Sequence, residues 1–87
     1  MNTYSLNGKM MKTRDAAYDH IAQALGFPDY FGRNLDALYD LLCERGGRVT
    51  LKHAGDMINS LGAYGCEIIK CFLNAAEESE RFEFRIK

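Results

Sequence analysis

Three short runs of strand-forming residues, each separated from the next by two helical segments, constrain this chain more than any other feature. The first is Thr3-Tyr4-Ser5-Leu6, stopped by the turn pair Asn7-Gly8. The second is Val49-Thr50-Leu51, short and β-prone. The third is the clearest, with Phe82, Phe84 and Ile86 alternating with Glu83, Arg85 and Lys87. Strands joined by helical crossovers pair in parallel through right-handed connections. The order β-α-α-β-α-α-β therefore predicts a small α/β domain, with three short strands and helices packed against them. The alternation in the last run puts one of its faces in solvent and so places that strand at a sheet edge. With 87 residues the chain can bury one modest core. It reads as a single domain over residues 1–87 with a radius of gyration of about 12 Å.

The helical segments carry their own start and stop signals. Thr13 is positioned to cap a helix running to about Leu25, with Ala17, Ile21, Ala24 and Leu25 as its apolar stripe. Gly26 supplies the position after its end, and Pro28 blocks continuation. Lys9 to Lys12 reads as a polar connection containing two methionines. Asp29 to Arg33 reads as a short aromatic loop, after which Asn34 caps a second helix reaching Cys43 or Glu44. Leu35, Leu38, Leu41 and Leu42 form its core stripe, and Gly46-Gly47 end it. His53 to Leu61 reads as a short helix closed by Gly62. Tyr64, Ile68, Cys71, Phe72 and Ala75 mark a longer one ending near Glu78.

Composition narrows the function classes. Eleven Lys and Arg against twelve Asp and Glu leave a net charge of −1, which excludes a generic basic nucleic-acid-binding domain. Hydrophobic residues at 47% and charged residues at 26% predict an ordered chain. No apolar run approaches the ~18 residues of a membrane span. Met1 to Thr13 has no apolar signal-peptide core, and Cys43, Cys66 and Cys71 follow no paired pattern. Reduced thiols and a cytoplasmic location are therefore expected.

No catalytic or metal-binding set is visible, and neither a cofactor nor a metal is expected. His20 and His53 lie in different elements, outside any HExxH or CxxC pattern, and there is no phosphate-binding glycine motif. Cys43 would be a nucleophile only beside a basic neighbour. The plainer reading is a small, half-buried thiol late in the second helix. Cys66 and Cys71, five positions apart on one helix, do not share a face and read as core-side or boundary residues.

One segment departs from local rules. Asp36, Asp40 and Glu44 fall at i, i+4 and i+8 on the second helix, an acidic stripe opposite the leucines. Like charges at this spacing cost a helix about 0.2–0.5 kcal/mol per pair. Asp29, Asp36, Asp40 and Glu44 against Arg33 give residues 29–44 a charge of −3, leaving about +2 for the rest. Charge so localised suits a binding patch. Asp36 sits near the second helical position, where the macrodipole also favours an anion, so capping and binding both account for it. Asp40 lies more than a turn further in and gains little from the dipole. Tyr39 lies beside both aspartates and off the leucine stripe, so partial exposure is expected. Tyr30 and Phe31 extend the surface in this reading, although Tyr30 fits a core equally well. Aromatics interleaved with carboxylates, with Asn34 at the start, match the composition of interaction hot spots.

The run Phe27-Pro28-Asp29-Tyr30-Phe31-Gly32-Arg33-Asn34-Leu35-Asp36-Ala37-Leu38-Tyr39-Asp40 closely resembles the signature of the barstar family, intracellular inhibitors of secreted barnase-type ribonucleases. The resemblance extends over the whole chain. It implies a barstar-like α/β fold, a three-stranded parallel β-sheet packed with about four helices. It also implies that the second helix and the loop before it plug a ribonuclease active site. Asp40 would lie where the RNA phosphate sits, Asp36 would be a second interfacial aspartate, and Tyr30 and Asn34 further contacts. Tyr39 stands where the family carries a tryptophan, and a later acidic contact falls near Asn74. The segment Cys43-Glu44-Arg45-Gly46-Gly47 lacks the aromatic residue the family has there.

The expected partner-binding set is thus Tyr30, Asn34, Asp36, Tyr39, Asp40, Cys43 and Glu44, with no catalytic residue. The expected partner is a barnase-type secreted ribonuclease rather than nucleic acid or membrane, and the free chain is expected to be monomeric. An interaction or immunity module of the same fold with a non-RNase target is the alternative, and an enzyme using Cys43 a third reading.

Overall fold

A computed structural model describes all residues 1–87. In chain order the elements are β1 (Thr3–Asn7), a 3-10 turn (Gly8–Met10), α1 (Arg14–Leu25), α2 (Leu35–Arg45), β2 (Gly47–Lys52), α3 (Ala54–Leu61), α4 (Ala63–Glu78) and β3 (Phe82–Ile86). The three strands form one parallel sheet in the order β1-β2-β3. Each helix-containing crossover therefore joins neighbouring strands, and β3 lies at the expected edge.

The capping residues act as their types require. The Thr13 side chain accepts from the Ala16 amide at 3.1 Å, and the Asn34 side chain accepts from the Ala37 amide at 2.8 Å. Gly26 ends α1 in the left-handed region at φ 68°. Gly46 ends α2 at φ 70°, and a Cβ there would lie 2.7 Å from the Arg81 carbonyl oxygen. Gly47 belongs to β2 rather than to the helix end, because its amide donates to that same carbonyl at 2.8 Å.

Register aligns Tyr4, Val49 and Phe84 in one row across the sheet, and Leu6, Leu51 and Ile86 in the next. Leu6, Val49, Leu51 and Phe82 are buried on this face, where Phe72 of α4 stacks on Phe84 with ring centroids 4.9 Å apart. The other face carries Thr3, Ser5, Arg48, Thr50, Lys52, Glu83 and Arg85, and no helix covers it. The alternation seen in β3 is thus shared by central β2. It reports an open face of the whole sheet, not edge position alone, and all-parallel sheets rarely leave a face open.

Two sequence expectations are corrected. The segment before α1 is not simply polar, since Met11 is fully buried in the core. Its entry is fixed by Gly8, where a Cβ would lie 2.0 Å from the His53 carbonyl oxygen. Of the two helical cysteines, Cys71 is buried but Cys66 is exposed. All three thiols are free. The radius of gyration is 11.5 Å, and no helix is long and apolar enough to cross a membrane.

Candidate functional site

The loop before α2 is built on an aromatic ladder. Phe27 packs edge-on against Phe31 at 5.0 Å, Phe31 against Tyr18 at 5.7 Å, and Tyr18 against Tyr64 at 6.3 Å. The Tyr18 and Tyr64 hydroxyls are hydrogen-bonded, and the Arg14 guanidinium lies over the Tyr64 ring at 3.9 Å. Burial, then the bond to Tyr64, holds the Tyr18 phenol well above its ordinary value. Phe31 is thereby a core residue at 7% exposure, which corrects its expected place on the surface. The Phe31 amide donates to the Pro28 carbonyl at 3.0 Å, closing a tight turn. Anchored Phe31 leaves Tyr30 at the tip of that turn, 79% exposed.

Between Phe31 and the helix, Arg33 adopts the left-handed region at φ 56°. Its side chain crosses to α1. Nη1 donates to Asp19 Oδ1 at 2.6 Å, and Nη2 donates to the Asp15 carbonyl oxygen at 3.1 Å. Asn34 follows with both ends of its amide engaged locally, since its nitrogen donates to the Gly32 carbonyl at 3.2 Å and its oxygen caps α2. The far end of α2 is tied to α1 as well. Arg45 Nη1 donates to the Leu25 and Gly26 carbonyls at 3.2 and 2.8 Å, a cation at a helix C-terminus.

Along α2 the leucines and the carboxylates separate as the period requires. Leu38, Leu41 and Leu42 are buried, while Leu35 is only half-buried. Asp36, Asp40 and Glu44 are all exposed. None of the three carboxylates has an ion-pair or side-chain hydrogen-bond partner, whereas of the nine others Asp15, Asp19, Asp56, Glu67 and Glu83 lie within ion-pair distance of a basic side chain and Asp29, Glu77, Glu78 and Glu80 do not. Tyr39 and Cys43, one turn apart, are half-buried at the flank of the stripe. The Tyr39 phenol is held above its usual value first by the neighbouring Cys43 thiol, then by burial and by the charges of Glu78 and Asp40. Cys71 lies beneath this flank. Its thiol donates to the Leu35 carbonyl at 3.5 Å, and burial pushes its pKa up to about 12. No cluster of His, Cys, Asp or Glu has the arrangement of a metal site.

The fold therefore gathers Tyr30, Asn34, Asp36, Tyr39, Asp40, Cys43 and Glu44 onto one loop and one helix. Tyr30 and the three carboxylates are freely presented, Tyr39 and Cys43 only partly, and the Asn34 side chain is occupied by the cap. Glu78 is a residue the sequence reading missed. Its charge reaches Tyr39 from α4, one turn beyond exposed Asn74. The signal was the spacing of four between positions 74 and 78, which puts both on one helical face.

A one-sided, three-stranded parallel sheet with four helices, presenting an unpaired acidic helix beside an aromatic loop, defines a barstar-like α/β protein. The comparisons agree over the whole chain. The family model described as Barstar (barnase inhibitor) matches residues 1–87. The chain is 32% identical over 89 aligned positions to a Bacillus subtilis (strain 168) protein named "Putative ribonuclease inhibitor YrdF", an alignment covering 99% of this chain and 97% of that protein. This chain belongs to the barstar family.

Proposed function

We propose that the chain is an intracellular inhibitor of a barnase-type, guanyl-specific microbial ribonuclease, and that α2 and the aromatic loop before it block that enzyme's active site. One observation carries the reading: the exposed stripe of Asp36, Asp40 and Glu44 has no cationic partner within the chain. An enzyme that cleaves RNA by transphosphorylation must cradle a phosphodiester with Arg, Lys and His. Asp40, held on a helix, takes the phosphate's place and accepts charge-assisted hydrogen bonds from those groups. Asp36 and Glu44 flank it, and Tyr30 and Tyr39 supply aromatic contact area. Asn34 fixes the start of the helix, and Cys43 backs Tyr39. Inhibition is occlusion, so the inhibitor needs no chemistry of its own. The free chain acts as a monomer and stays in the cytoplasm, where it shields cellular RNA.

The departures at Tyr39 and Asn74 favour a second reading, an interaction or immunity module of the same fold with a non-RNase target. Titration separates the two. Adding the chain to a barnase-type ribonuclease while following RNA cleavage is expected to abolish activity near one equivalent. Undiminished cleavage in the presence of excess chain would replace the first reading by the second.

A further inference from the structure

Arg33 is the one cation among residues 29–44, in a segment otherwise built to meet cations. It also adopts φ 56°, a left-handed conformation that is unfavourable for a residue with a Cβ. A residue unfavourable on both counts needs a compensating contact, and the side chain supplies it. The guanidinium fork reaches the first two turns of α1, with 2.6 Å to Asp19 Oδ1, 3.1 Å to the Asp15 carbonyl and 3.8 Å to Asp15 Oδ1. Its charge is thereby answered on α1, not by Asp36 or Asp40. A single Lys ammonium would lack this planar two-point reach.

The consequence falls on the docking segment. Exposed Tyr30 is fixed on its C-terminal side by buried Phe31, and the chain must then turn sharply to reach the Asn34 cap. Arg33 makes that turn while its side chain ties it to α1. Without the tie, the left-handed turn would relax and carry Tyr30 and Asn34 with it. The ordering would then have to be supplied during binding. We infer that Arg33 is a positioning residue, which through Asp19 and Asp15 preorganises Tyr30 to Asn34 for docking. This inference rests on the function proposed above.

The test exploits opposite signs. Removing a surface cation from an acidic face would speed association with a cationic partner and leave dissociation unchanged or slower. Removing a positioning residue does the reverse to affinity. Arg33→Gln is expected to raise the dissociation rate from a barnase-type ribonuclease by roughly two- to fivefold, the scale of a lost solvent-exposed ion pair. Asp19→Ala is expected to do much the same. The double variant is expected to lose no more than Arg33→Gln alone, since the two residues act as one unit. Amide exchange on the free protein gives a readout that needs no partner. The Phe31 amide should exchange several-fold faster in Arg33→Gln, with the Val49 and Leu51 amides unchanged. Tighter binding by Arg33→Gln, additive losses in the double variant, or unaltered Phe31 exchange would each overturn the inference. A wild-type chain that fails to bind the ribonuclease would overturn the proposed function instead, and Phe31 exchange would still decide whether Arg33 orders the loop.

Discussion

Asp40 stands more than a turn inside α2, where the N-terminal dipole has faded, and it shares its stripe with Asp36 and Glu44. Its charge serves the free helix poorly. Asp40→Asn is expected to leave thermal stability unchanged or to raise it by up to about 1 kcal/mol, since it relieves repulsion with both Asp36 and Glu44. Ribonuclease affinity is expected to fall by more than ~2 kcal/mol, because the partner's desolvated cations lose their counter-charge. Asp36, at the second helical position, is expected to show the converse balance. Asp36→Asn is expected to lower stability a little, the lost dipole contact being partly offset by relieved repulsion with Asp40, and to cost less affinity. Thermal unfolding of each variant, paired with a binding titration, checks both. An Asp40→Asn variant that binds like wild type would remove the phosphate-mimic assignment. The acidic stripe was legible in the sequence because helical spacing alone sets it. The adjacent pair Tyr30 and Phe31 was not, since both residues are large aromatics. A buried Tyr30 hydroxyl would need a partner, whereas Phe31 enters the ladder with no polar atom to satisfy.

At the scale of elements, α1 is joined to β1 by a contact no local pattern announces. The Asn7 amide donates to His20 Nε2 at 2.9 Å, so the ring must be neutral at that nitrogen. Burial lowers the His20 pKa from its ordinary 6.5. The unfolded chain therefore takes up a proton at a higher pH than the folded one. The contact's contribution is whole above pH 6.5 and is lost as the pH falls through the lowered folded value. Wild type is expected to lose more stability than His20→Gln between roughly pH 7.5 and 5, because glutamine can accept the same bond without titrating. Urea unfolding of both proteins at the two pH values measures the difference. Parallel slopes would mean that His20 does not hold the junction. The ends of α1 and α2 were readable from Thr13, Gly26 and Asn34, each a local device. The start of α3 was less so, because His53 enters it at φ 57° without a side-chain cap.

Over the whole molecule, charge is polarised although the net value is only −1. Asp36, Asp40 and Glu44 line one exposed face of α2 without ion-pair partners, and Arg48, Lys52 and Arg85 lie on the open sheet face, where Arg48 pairs with Glu83 at 3.4 Å. Approach of a cationic active site to α2 is therefore steered, but only at short range once salt compresses the field to about 8 Å. Association with the ribonuclease is expected to slow several-fold between about 0.05 and 0.5 M salt, with dissociation changing much less. Stopped-flow mixing across that range is the measurement. An association rate indifferent to salt would point to a mainly apolar interface.

The sequence by itself determined the element order, the helix ends, the parallel class and the acidic stripe. The helix ends and the stripe depend on residues within a turn or two of one another, so spacing and capping chemistry suffice, and the parallel class follows from the order of elements because a helical crossover returns the chain in the same direction. Tertiary structure alone decided that β2 is central, since in a one-sided sheet edge and centre show the same alternation. It also decided that Met11 and Phe31 join the core and that Arg33 ties the loop to α1. Those outcomes rest on contacts between residues far apart in the chain, 14 positions for Arg33 and Asp19 and 46 for Tyr18 and Tyr64. No periodicity encodes which distant side chain will complete a polar fork or an aromatic ladder.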